Sequence, residues 1–188
     1  MQTQGKPQNA EDNGLYLVGL GANLPSKHGS PLQTLIAALG ALEAANIKVK
    51  ARSPWFESEP VPKSDQPWFI NAAACDYTLE NPNNLLRIMH EIEIQFGRVR
   101  SVPNAPRPLD LDLLMGPAIQ QAPDCRLEPG DLSGNALVLP HPGLTQRAFV
   151  LRPLAAIVPD WVHPAIGLSV AEMTAKLPPA PIVRVLPR

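Results

Sequence analysis

Hydrophobic and polar positions change period several times along this chain, and each change predicts an element. "LYLVGL" (Leu15–Leu20) is an almost unbroken apolar run stopped by Gly21, the pattern of a central strand. In "SPLQTLIAALGALEAA", Ser30 can cap, Pro31 suits a first helical turn, and Leu32, Leu35, Ile36, Leu39 and Leu42 form one stripe. That is an amphipathic helix. "IKVKARSPW" alternates Ile47, Val49 and Ala51 against Lys48, Lys50 and Arg52, a strand with one wet face. "ESEPVPKSDQP", with three prolines, reads as a loop, and "WFINAAACDYTL" as the next strand. There Phe69, Ala73, Cys75, Tyr77 and Leu79 share a face with Asn71.

A second helix follows in "NPNNLLRIMHEIEIQFG": Asn81 or Asn83 can cap it, Leu85, Leu86, Met89, Ile92 and Phe96 form its stripe, and Gly97 ends it. An arginine-bearing loop leads to the strand "PLDLDLLM". Residues 116–136 read as an excursion rich in Gly, Pro and Asp. "ALVLPHP" resumes a strand, "TQRAFVLRPLAAIVPD" reads as two short helical pieces broken near Pro153, and "SVAEMTAKL" as a small third helix. The order β-α-β-β-α-β predicts an α+β fold: a ferredoxin-like antiparallel sheet with both helices on one face and extra C-terminal elements.

Composition narrows this picture. The 188 residues suit one domain, here 15–177, between a polar N-terminal tail (1–14) and a Pro-rich C-terminal tail (178–188). A net charge of −1 argues against a general nucleic-acid binder. No apolar run approaches a membrane span, and no leader pattern opens the chain. Cys75 and Cys125 form no C-x-x-C. The expectation is a cytoplasmic protein with free thiols.

The chemistry concentrates in "NAPRPLDLDLLM" (Asn104–Met115). In a strand, side chains at i and i+2 point the same way, with Cα atoms ~6.5–7 Å apart. Leu109, Leu111 and Leu113 therefore enter a core while Asp110 and Asp112 emerge together on the opposite face. Arg98, Arg100 and Arg107 precede them, with no acid between Ile94 and Leu109. Two carboxylates beside guanidinium groups fit Mg²⁺ shared with a polyphosphate. They equally fit a solvated strand face neutralised by a basic loop, and the pattern alone leaves both open. No G-x-x-x-x-G-K-[ST] occurs, so a nucleotide site here is not a P-loop.

Five short motifs in register carry a resemblance. "GLGANL", "DQPWFINAAA", "EIEIQFGRVR", "RPLDLDLL" and "LPHPGLTQRAFVLRPLAAIVPD" together resemble the hydroxymethyldihydropterin pyrophosphokinase family of folate biosynthesis, over roughly residues 15–165. The resemblance implies a ferredoxin-like, usually monomeric enzyme. It implies transfer of pyrophosphate from ATP to 6-hydroxymethyl-7,8-dihydropterin with release of AMP, using two Mg²⁺ ions. By matching motif, Asp110 and Asp112 would hold the metals, and Arg98 and Arg107 would act on the phosphates. His90, Glu93, Arg100, Leu113, His141 and Arg147 would complete the ATP site. Ser58, Val61, Phe69, Asn71 and Phe149 would take the pterin.

The chain departs from the family where many members carry "WGPRT": Asn104, Ala105 and Pro108 stand where those have Trp, Gly and Thr. Two alternatives follow from the residues: a nucleotide-binding member without catalysis, and a two-metal phosphoesterase.

Overall fold

Six strands share one antiparallel sheet in the computed structural model, which describes residues 14–99, 104–116, 137–179 and 181–187. They are β1 (Leu15–Ala22), β2 (Lys48–Arg52), β3 (Phe56–Ser58), β4 (Phe69–Tyr77), β5 (Asp110–Met115) and β6 (Val183–Val185). The order is β5-β1-β4-β3-β6, and β2 pairs with the other end of β4. The helices are α1 (Pro31–Ala44), α2 (Pro82–Gln95), α3 (Ala148–Ala155) and α4 (Val170–Ala175). No helix among the described residues is long and apolar enough to cross a membrane.

Side-chain alternation on β1 and β5 splits the interior in two. Val18, Leu20 and Ala22 join Leu109, Leu111 and Leu113 beneath α1 and α2, with Leu35, Leu42, Leu85 and Met89. On the opposite face, Leu17, Ala73 and Leu114 pack against Val150, Leu151 and Leu154 of α3 and against Val170 and Met173 of α4. Both faces of the middle strands are thus covered, which explains the near-continuous apolar run of β1. Burying each such Leu or Val contributes about 1.5–3 kcal/mol.

Ser30 caps α1 as expected, and of the two asparagines offered for α2 it is Asn81 that caps. Ser30 and Gln33 form a capping box on α1, and Asn81 Oδ1 accepts from Asn84 N–H at 2.9 Å on α2. At the far end of α2, Gly97 has φ +89°. Its N–H donates to Ile94 C=O (3.0 Å), and Arg98 N–H donates to Glu93 C=O (2.9 Å). This pair of bonds is the Schellman ending. It turns the chain so that Arg98 lies beside Glu93 and reaches β5.

Several expectations are corrected. Ile36 is 53% exposed, while Thr34 and Ala38 are fully buried. The stripe of α1 is rotated toward its smaller residues, which bring the helix close to the sheet. Ala51 is exposed because the β2–β4 register shifts between Val49 and Ala51. The expected loop begins with a strand, β3, that pairs with Phe69–Asn71. The expected tail holds β6, which pairs with β3 and buries Val183. "ALVLPHP" forms only a single bridge at Val138, since Pro140 and Pro142 supply no N–H to a ladder. The helical break after Leu144 falls at Arg147, between a 3-10 turn (Leu144–Gln146) and α3. The helix runs through Pro153 and ends two residues later.

Candidate active site

Three neighbouring strands lay out the site row by row. In register, Gly21 of β1 lies between Asn71 of β4 and Asp110 of β5, and Gly19 lies between Ala73 and Asp112. All of these face α3, as their parity dictates. The result is a cleft of about 270 Å³. Ser58, Val61, Phe69, Asn71 and Phe149 line one end, and Arg107, Asp110, Asp112 and Arg147 line the other.

The first end is neutral and internally bonded. Asn71 and Ser58 are both buried, and Asn71 Nδ2 donates to Ser58 Oγ at 2.8 Å. This leaves the Oδ1 side of the amide toward Gly21 and the cleft. Phe69 and Phe149 supply ring faces, and each has a guanidinium nearby. Arg107 lies 5.7 Å from the Phe69 centroid and Arg147 lies 5.9 Å from that of Phe149. The two ends of the cleft are therefore joined through aromatic-to-arginine contacts.

The second end is charged. Arg98 makes ion pairs with both Glu93 and Asp110 Oδ1. Arg107 Nε, buried and without a hydrogen-bond partner among the described residues, stands 3.4 Å from Asp110 Oδ2. Burial first, and then the neighbouring Asp110 carboxylate, raise the pKa of Asp112. Arg147, Arg107 and Arg98 oppose that rise. Burial works against the charge on Arg98, but Asp110 and Glu93 outweigh it and hold Arg98 protonated.

Glu93 is 1% exposed at the end of α2. Its Oε1 accepts from Leu111 N–H at 2.7 Å, tying the helix to β5. Burial pushes its carboxyl up to about 7, against the pull of Arg98 and of that N–H. His141 donates its backbone N–H to Leu114 C=O (2.9 Å), and its Nδ1 accepts from Gly143 N–H (3.0 Å). The imidazole proton is thereby assigned to Nε2. Burial and then Arg147 lower its pKa, so it is neutral near pH 7.

The remaining sequence-derived positions lie elsewhere. The side chain of Leu113 points into the core under α1 and α2, because odd positions of β5 face away from the cleft. Any nucleotide contact it makes is through its backbone. His90, partly exposed on α2, and Glu93 are not among the lining residues, and Arg98 stands behind Asp110. Arg100 and all of the excursion 116–136 except Gly116 lie outside the described residues.

The structure adds residues that pattern reading does not single out. Asn23 is 2% exposed and ties three segments together. Its Oδ1 accepts from Arg107 N–H (2.8 Å), and its Nδ2 donates to Pro67 C=O (3.1 Å) and Gln66 Oε1 (3.2 Å). Its own N–H donates to Arg107 C=O (3.1 Å). Gln66 Nε2 in turn donates to Asn104 C=O at 3.1 Å, so the two loops flanking the cleft are tied. The only sequence signal for this is the polar Asn23 just beyond an apolar strand.

Among the described residues no group of three or more His, Cys, Asp or Glu could hold a metal. Two carboxylates with guanidinium groups around them fit a cation that takes the rest of its oxygen ligands from phosphates and water, as Mg²⁺ does.

Comparison with known proteins gives the chain a family. Residues 17–159 match the family model described as 7,8-dihydro-6-hydroxymethylpterin-pyrophosphokinase. The chain is 39% identical over 169 residues to the 2-amino-4-hydroxy-6-hydroxymethyldihydropteridine pyrophosphokinase of Methylorubrum extorquens, covering 89% of this chain and 96% of that one. It is 34% identical over 183 residues to the folic acid synthesis protein fol1 of Pneumocystis carinii, covering 97% of this chain but only 23% of that protein. The crystal structure of wild-type Plasmodium falciparum HPPK-DHPS with STZ-DHP shares the fold, with TM-score 0.63 and 15% identity over 87% of this chain and 43% of that one. With the family model spanning most of its length, this chain belongs to the 7,8-dihydro-6-hydroxymethylpterin-pyrophosphokinase family.

Proposed function

We propose that this chain transfers the terminal pyrophosphate of ATP to the hydroxymethyl oxygen of 6-hydroxymethyl-7,8-dihydropterin and releases AMP. The observation that carries this reading is a single cleft with an amide and two aromatic rings at one end and paired carboxylates among guanidinium groups at the other. The first end suits a flat heterocycle with edge donors and acceptors. Asn71 keeps one Nδ2 hydrogen on Ser58 and offers Oδ1 to a pterin N–H. Phe69 and Phe149 take the ring.

Asp110 and Asp112 would hold two Mg²⁺ ions, which supply positive charge on the β- and γ-phosphates. Arg98, Arg107 and Arg147 neutralise the charge that develops on the phosphate oxygens, and His141 offers an Nε2–H donor. The hydroxymethyl oxygen attacks the β-phosphorus, the bond from that phosphorus to the α–β bridging oxygen breaks, and AMP carries the bridging oxygen away. The hydroxyl proton passes to water or phosphate. We read the β5-β1-β4-β2 core, with α1 and α2 on one face, as ferredoxin-like.

The test is AMP formation from ATP and Mg²⁺ with and without the pterin, in wild type and Asp112→Ala. Pterin-dependent AMP that falls about 10³-fold or more in the variant is expected. Folded wild type that binds ATP but makes no AMP would leave a binding module. AMP or phosphate released without pterin would favour the hydrolase.

A further inference from the structure

The geometry points to Gly21 as a specificity-determining residue: the side-chain-free floor over which the acceptor's hydroxymethyl group reaches the phosphates. The inference rests on the transfer reading above.

Glycine inside a strand costs stability and packs nothing, so it calls for a local reason. A special backbone conformation is not that reason, because Gly21 is absent from the positive-φ glycines (Gly29, Gly97 and Gly167). Nor does the fold forbid a side chain. A Cβ built there meets Asn71 Oδ1 at 3.4 Å and Asp110 Cβ at 3.7 Å, ordinary contact distances.

What a Cβ would do is occupy the cleft. Gly21 lines the main cleft and also a recess of about 30 Å³ that shares Asn71, Asp110, Asp112 and Phe149 with it. Strands two apart in a sheet are about 9–10 Å apart. The span from Asn71 to Asp110 must therefore hold the acceptor's carbinol and the phosphorus it attacks. Reacting atoms need to come within about 3–3.5 Å, and a methyl group rising midway displaces one of them.

Gly19 provides the internal comparison. It is on the same strand and face, but lines only the recess, and its Cβ would meet Leu114 Cδ1 at 3.5 Å and Asp112 Cβ at 3.6 Å.

The experiment compares wild type, Gly21→Ala and Gly19→Ala in three measurements: kcat/KM for the pterin, affinity for a non-hydrolysable ATP analogue with Mg²⁺, and thermal midpoint. In Gly21→Ala, kcat/KM for the pterin is expected to fall about tenfold or more, with analogue affinity within about twofold and the midpoint not lowered. Gly19→Ala is expected to lose less than about threefold. Unchanged pterin kinetics in Gly21→Ala, an equal loss in Gly19→Ala, or a loss confined to the ATP analogue would each overturn the inference while leaving the transfer reading intact. A wild type without pterin-dependent AMP removes both.

Discussion

Two buried acids, Glu93 and Asp76, differ in what surrounds them. Both carboxyls are pushed up to about 7, in each case chiefly by burial. Glu93, at the seam of α2 and β5, holds the Leu111 N–H and an arginine that also holds Asp110. Asp76, on β4, is fully buried, and neither oxygen has a hydrogen-bond partner among the described residues. Its neighbour Glu43 raises it further. A partnered buried acid can position other groups, whereas an unpartnered one mainly costs stability once it ionises. The site side of the molecule spends its buried charge on orientation, and the far end of β4 does not.

The largest expected effect comes from breaking the partnered acid. Glu93→Ala leaves Leu111 N–H unpaired and removes one of the two acids on Arg98. A loss of about 3–5 kcal/mol in urea unfolding is expected. Glu93→Gln, which can still accept from Leu111, should lose clearly less. Equal losses in the two variants would mean that the charge matters and the tie to β5 does not.

Asp76→Asn probes the other side of the comparison and should stabilise. The folded carboxyl at about 7 lies above the unfolded value near 3.8. The Asp76 contribution to wild-type stability is therefore most favourable below pH ~4, declines as the unfolded chain ionises first, and levels off above pH ~7. At pH 8 the variant should gain about 2–4 kcal/mol, and at pH 4 almost nothing. Urea midpoints at the two pH values check this. A variant less stable than wild type at pH 8 would mean that Asp76 has a partner after all.

The smallest effect sharpens the first. Gly97→Ala places a Cβ at φ +89° and should cost about 1–2 kcal/mol. Because this turn delivers Arg98 to Asp110, turnover should fall by more than the stability loss accounts for. Full activity in the folded variant would show that Arg98 finds its place without the turn.

Some of the site follows from period alone. Alternation on β5 sends Asp110 and Asp112 to one face, and the same parity on β4 sends Phe69 and Asn71 to the matching face. Glu93 also left a signal, four residues after Met89 and three before Phe96, on the buried stripe of α2. Asn23, Gln66 and Asn104 left almost none. Their bonds join segments up to 84 residues apart, and such bonds exist only once the loops meet. The short strands β3 and β6 were equally hidden. At three residues each they are too short to show a period, and each depends on its neighbour.

By itself the sequence determined the β-α-β-β-α-β order of the core elements, the cap of α1, the glycine stop of α2, and the parity that brings the two aspartates out together. These depend on residues a few positions apart, where local geometry decides. Only the tertiary structure decided that Gly21 falls in one row with Asn71 and Asp110, that Asn23 ties three segments, and that Arg98 is shared between Glu93 and Asp110. Those relations depend on strand register and on how the loops close over the sheet. Burial sets both, acting on the whole chain at once.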